Sequence, residues 1–142
     1  VKLGDTKGAV KDYNKSIYIN PRDAYAYNYR GKIKDLTGDK QGAIIDFNQA
    51  INLRPEYAEA YHSRGLTKFA LGDKAGALID FNQAVNLRPN YAEAYHSRGL
   101  TKSALGGKAG ACTDYKKAEA FGNDSVARWL QSDSGSWCRN MH

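Results

Sequence analysis

The twelve residues YAEAYHSRGLTK, Tyr57 to Lys68, return letter for letter as Tyr91 to Lys102, 34 positions later. Other residue types keep the same interval. The only three prolines, Pro21, Pro55 and Pro89, are spaced by 34, as are Gly31, Gly65 and Gly99. Gly4, Gly38, Gly72 and Gly106 form another such series; Ala9, Ala43, Ala77 and Ala111 another; Tyr13, Phe47, Phe81 and Tyr115 a fourth. A fixed period of this length means one supersecondary unit stacked on copies of itself, each burying a face that its neighbour covers.

The unit can be read from Ala58 to Tyr91. Ala58 to Leu71 has helical spacing, with Tyr61, Gly65 and Lys68 on one face. Gly72 breaks it, and Asp73 is suited to cap the next helix by accepting bonds from amides that lack an intrahelical partner. In the second helix, Ala77, Leu78, Phe81, Ala84 and Val85 fall at core spacing, and Pro89 ends it. A turn this short makes the two helices antiparallel.

The order Tyr61, Gly65, Ala77, Phe81, Ala84, Pro89 resembles the tetratricopeptide repeat family. Tyr27, Gly31, Ala43, Phe47, Ala50 and Pro55 match in the preceding unit, and Tyr95, Gly99, Ala111, Tyr115 and Ala118 in the following one. The resemblance covers about Val1 to Gly122 and implies an all-α, right-handed superhelical solenoid of antiparallel helix pairs. The expected organisation is a truncated leading repeat over 1–23, repeats over 24–57, 58–91 and 92–123, a capping helix over 124–132, and a flexible tail over 133–142. Because the chain opens inside a repeat, Val10, Tyr13 and Ile17 are candidates for a self-association face, and further repeats are expected upstream.

Two features depart from the family pattern in every copy. Arg30, Arg64 and Arg98 stand where the family has Leu, and Lys34, Lys68 and Lys102 follow four residues later. A buried cation needs a partner. Asp46, Asp80 and Asp114 recur in register on the second helices, so Arg30–Asp46, Arg64–Asp80 and Arg98–Asp114 are the expected ion pairs, with the lysines reaching outward.

The resemblance also implies that the first helices line a concave groove. The groove positions are Tyr25, Asn28, Lys32 and Asp35; Glu59, His62, Leu66 and Phe69; and Glu93, His96, Leu100 and Ser103. An apolar patch beside a polar ladder suits a peptide with a hydrophobic anchor and some basic groups. One subclass of the family clamps a C-terminal carboxylate with a basic ladder. Here the matching positions hold Asn28, Lys32, Ser63, Glu93 and Ser97, and Glu93 would repel that carboxylate.

Composition narrows the remaining classes. The net charge of +6 is dispersed over 142 residues without a block of five Lys or Arg, so RNA binding is only a weak alternative. No apolar run reaches membrane-spanning length. His62 and His96 are one repeat apart and lack the further ligands a metal needs, so no metal or cofactor is expected. Ser63 and Ser97 directly follow the histidines, and adjacent helical residues point apart, which argues against catalysis. Eleven of the fourteen glycines lie on the 34-residue register, and neither phosphate-binding motif, GxxxxGK[ST] or GxGxxG, occurs. Cys112 on an apolar helical position and Cys138 in a polar tail are expected to be free thiols. The expected role is a non-catalytic protein–protein interaction scaffold; a self-associating repeat array is the alternative. The compartment is not indicated, with the cytoplasm slightly favoured.

Overall fold

A computed structural model describes residues 3–141. Val1, Lys2 and His142, the ends of the expected leading segment and tail, lie outside the described residues. The chain is an all-α solenoid. Its helices are α1 (Leu3–Ile19), α2 (Ala24–Leu36), α3 (Lys40–Leu53), α4 (Ala58–Ala70), α5 (Lys74–Leu87), α6 (Ala92–Ala104), α7 (Lys108–Ala120), α8 (Asp124–Gln131) and α9 (Ser136–Arg139). A 3-10 turn, Asp133–Gly135, joins the last two. The pairs α2–α3, α4–α5 and α6–α7 pack most closely, and each second helix also touches the first helix of the next pair.

The turns inside the pairs are built alike. Gly38, Gly72 and Gly106 take φ of +95°, +87° and +89°, the left-handed conformation that side chains resist. Lys34, Lys68 and Lys102 carbonyls then accept from the amides of Asp39, Asp73 and Gly107 at 2.8, 2.9 and 2.7 Å. Asp39 and Asp73 cap the second helices through Gly42 and Gly76 amides at 3.0 and 2.9 Å, whereas Gly107 provides no side-chain cap for α7. Gly4 and Asp5, in register with these turns, instead lie within α1.

Close approach decides the other glycines. A methyl group on Gly31, Gly65 or Gly99 would stand 2.7, 2.7 or 2.6 Å from the ring of Phe47, Phe81 or Tyr115. The rings are buried between helices, and Ala43, Ala77 and Ala111 beside them are fully buried. This layer of small residue against ring is the repeating core.

The C-terminal segment corrects two expectations. Residues 133–141 are not a loose tail: the 3-10 turn and α9 fold back on α7 and α8. Cys112 and Cys138 are not free thiols. They form a disulfide with Cα atoms 5.3 Å apart, and both are buried. Trp137 meets the Trp129 ring edge-on at a centroid distance of 6.0 Å. The polar composition of the segment carries no sign of this pairing, whose partner lies 26 residues away in sequence.

Candidate functional site

Each arginine in the first helices sits in the same four-residue network. Arg64 Nε and Nη2 donate to Asp80 Oδ2 and Oδ1 at 2.9 and 2.7 Å. Its Nη1 reaches back one repeat and donates to Asn48 Oδ1 at 2.8 Å. Arg30 engages Asp46 and Asn14, and Arg98 engages Asp114 and Asn82, in the same way. The lysines do not extend into solvent as expected. Lys34, Lys68 and Lys102 approach the second carboxylate oxygens at 3.1, 3.2 and 3.0 Å. Each aspartate is almost wholly buried, so two cations compensate one desolvated carboxylate. These residues hold the stack and are not offered to a ligand.

The groove positions divide into satisfied and free groups. Asn28 is buried: its Nδ2 donates to Tyr57 Oη at 3.1 Å, and its Oδ1 has no hydrogen-bond partner among the described residues. Asp35 accepts from Lys40 and from Thr67 Oγ1 at 2.9 and 3.0 Å. Glu59 pairs with Arg88. Tyr25 is half exposed, edge-on to Tyr57, with the Arg54 guanidinium 5.0 Å from its ring centre. Lys32 lies over Tyr29 at 5.6 Å. Phe69 and Ser103 are half-buried, and Glu93 is exposed. Leu66 and Leu100 are 46% and 47% exposed, which leaves two leucines in register on neighbouring first helices open to a ligand.

His62 plugs the space between α4 and α6. Its Nε2 lies 2.9 Å from Ser97 Oγ, its Nδ1 3.4 Å from Tyr91 Oη, and its ring contacts Phe81. Burial pushes its pKa down to about 4, against an opposing pull from Glu93. Burial likewise raises Tyr57 and Tyr91 to about 12. The gaps on either side are open. Between α2 and α4, Lys32, Asp35, Leu36, Ser63 and Leu66 surround a cleft of about 190 Å³ floored by Phe47. Between α6 and α8, His96, Leu100, Ser125, Val126 and Trp129 surround one of about 250 Å³ floored by Tyr115.

Those two clefts were not legible from residue type alone. At the α6–α8 cleft the difference lies in what crosses over from the next unit: Tyr91 reaches His62, whereas the register position that would reach His96 holds Ser125.

The candidate self-association residues are partly covered. The Tyr13 ring stacks on Tyr29 at 6.0 Å, and Val10 and Ile17 are half-buried; Tyr18 and Ile19 are the widely exposed large apolar residues of α1. Among the described residues, no helix is long and apolar enough to cross a membrane, and no cluster of His, Cys, Asp and Glu could hold a metal ion.

A family model described as "TPR repeat" matches residues 37–72 and 65–106, and a second, described as "Tetratricopeptide repeat", matches 1–23. The chain belongs to the tetratricopeptide repeat family. Among tetratricopeptide repeat structures similar to it is a crystal structure of MamA: 27% identity, 95% of this chain and 77% of that one, TM-score 0.82. A second MamA crystal structure has 26% identity over 89% and 69% of the chains, with a TM-score of 0.74. The first such domain of Spaghetti (RPAP3), bound to the HSP90 peptide SRMEEVD, shares the fold at 24% identity over 77% and 94%, with a TM-score of 0.69. No curated protein matches at a significant level.

Proposed function

We propose that this tetratricopeptide repeat protein is a non-catalytic scaffold that holds an extended segment of a partner protein in the groove lined by α2, α4, α6 and α8. The observation that carries this reading is the exposed pair Leu66 and Leu100 flanked by the two clefts. Open apolar side chains beside concave, partly polar gaps are what an extended peptide with one or two anchors requires. That the RPAP3 relative holds a peptide is in keeping with it. The ligand class differs, however. With Asn28 buried against Tyr57 and Glu93 projecting freely, the groove disfavours an acidic C-terminus.

The test is capture from a lysate of the source cells by wild-type bait and by a Leu66→Glu, Leu100→Glu double variant. Both positions are half exposed, so the variant keeps its fold, checked by circular dichroism. Partners retained by the wild type and lost from the variant support the groove. Equal capture by both moves the interaction elsewhere.

Exposed Tyr18 and Ile19 favour a second reading, association of copies through α1. Sedimentation velocity across a concentration series tests it: a size that rises with concentration and is lost in Ile19→Glu supports it, and a constant monomer dismisses it.

A further inference from the structure

The linkers entering α4 and α6 carry the same chemistry. They read Arg54-Pro55-Glu56-Tyr57 and Arg88-Pro89-Asn90-Tyr91. In the second, Arg88 pairs with Glu59 of the preceding first helix and lies 4.5 Å from the centre of its own Tyr91 ring. The Tyr91 hydroxyl then meets His62. Cation, ring and hydroxyl together seal the α4–α6 gap. In the first linker, Arg54 lies over Tyr57, whose hydroxyl meets Asn28.

The linker entering α8 reads Phe121-Gly122-Asn123 and has neither arginine nor tyrosine. Their partners on α6 are still present. Glu93, in register with Glu59, is exposed and makes no salt bridge among the described residues; its charge is felt by Arg88, His62 and Tyr91, but the Arg88 guanidinium pairs with Glu59. His96, in register with His62, has no tyrosine hydroxyl against it and lines the open 250 Å³ cleft with Leu100, Val126 and Trp129. At this last step the first turn of α6 presents an exposed carboxylate, and the cleft beyond it presents an imidazole and an apolar slot; by register, the cation and ring that would meet them are missing.

We propose that the α6–α8 cleft binds a partner segment in which an arginine or lysine precedes a tyrosine or phenylalanine by three residues. It deepens, and rests on, the groove reading above. The cation pairs with Glu93 and lies against the aromatic ring, and the ring enters the cleft beside His96 on the Tyr115 floor. The chain supplies this arrangement to itself at the preceding step, so the complementarity of charge and shape is already built once in the same molecule. A carboxylate–guanidinium pair lying against a ring joins charge, directed hydrogen bonds and a cation–π contact in one short anchor, and the Arg88–Glu59 copy holds it while partly exposed.

The probe is a labelled peptide copying residues 86–93, titrated into the full chain. Readouts are anisotropy and amide and indole NMR shifts of α6, α8 and Trp129. Wild type should bind with shifts confined to this cleft. Replacing the peptide's arginine or its tyrosine by alanine, or Glu93→Gln in the protein, should each weaken binding about tenfold or more. The arginine and Glu93 changes together should cost little more than either alone. Ser125→Tyr, an exposed site refilled with the missing ring, should block the cleft without unfolding the protein. Ile79→Glu, exposed on α5 and away from the groove, should leave the peptide's affinity unchanged. Absence of shifts at millimolar peptide, or equal binding by the alanine peptides, overturns the proposal. If partner capture still depends on Leu66 in that case, the groove reading stands and only the anchor fails; if capture is also indifferent to Leu66, both fall.

Discussion

Asp80 shows how much a single side chain carries. It is 1% exposed and lies against both Arg64 and Lys68, while Arg64 also reaches Asn48 of the repeat before. Asp80→Asn leaves two largely buried cations around a neutral amide, and we expect a loss of about 3 kcal/mol or more in urea unfolding. Lys68→Met removes the more exposed of the two cations and should cost well under half of that. Equal losses would mean that charge balance is not what holds the cluster. His62 gives a pH dependence. Its folded pKa of about 4 lies below the ordinary value of 6.5, so between those limits the unfolded chain binds the extra proton. Stability from this group is complete above pH 6.5 and falls as pH drops toward 4, by a total of about 3 kcal/mol. Urea midpoints at pH 7.5 and 5.0 should differ in the wild type, and the gap should narrow in His62→Gln.

Helix pairs depend on contacts that tolerate no extra atom. Gly65→Ala places a methyl group against the Phe81 ring, so α4 and α5 must separate; a cost of about 1–3 kcal/mol is expected, partly recovered by Phe81→Leu. If Phe81→Leu gives no recovery, the cost lies in the helix backbone and not in the contact. This layer of the architecture could be read from the sequence, because period, breaker, cap and ring each have a local signature. The arginine–aspartate register was visible for the same reason, sixteen residues apart in every copy. Other features had no such signature. Lysine stems are long enough to reach either water or the aspartate, and only the packed geometry selects the second. Asn28 belongs to the groove by position, yet it is covered by Tyr57 from the following repeat. Where the next unit breaks the pattern, as at Phe121-Gly122-Asn123, a gap opens that no residue on α6 announces.

For the whole molecule, the cap differs from the rest of the stack in having a covalent tie. The Cys112–Cys138 disulfide closes 26 residues and holds α9, with Trp137 against Trp129, over the last pair. Closing a loop of that size is worth about 3 kcal/mol in the chain-entropy account. Cys138→Ser should lower thermal stability and shift tryptophan emission to the red as both rings gain water. Thiol titration of denatured, unreduced protein should find no free thiol, and detection of two would refute the bond. The body of the solenoid obeys a different rule, since each of Arg30, Arg64 and Arg98 finds its aspartate within its own repeat and its asparagine in the one before. A gene segment encoding residues 58–91 could therefore be copied in tandem and the added joint would meet only surfaces that already fit each other. The array can lengthen or shorten by whole units through unequal recombination, with the identical dodecapeptides as the sites of exchange, while its disulfide-bonded end remains unchanged.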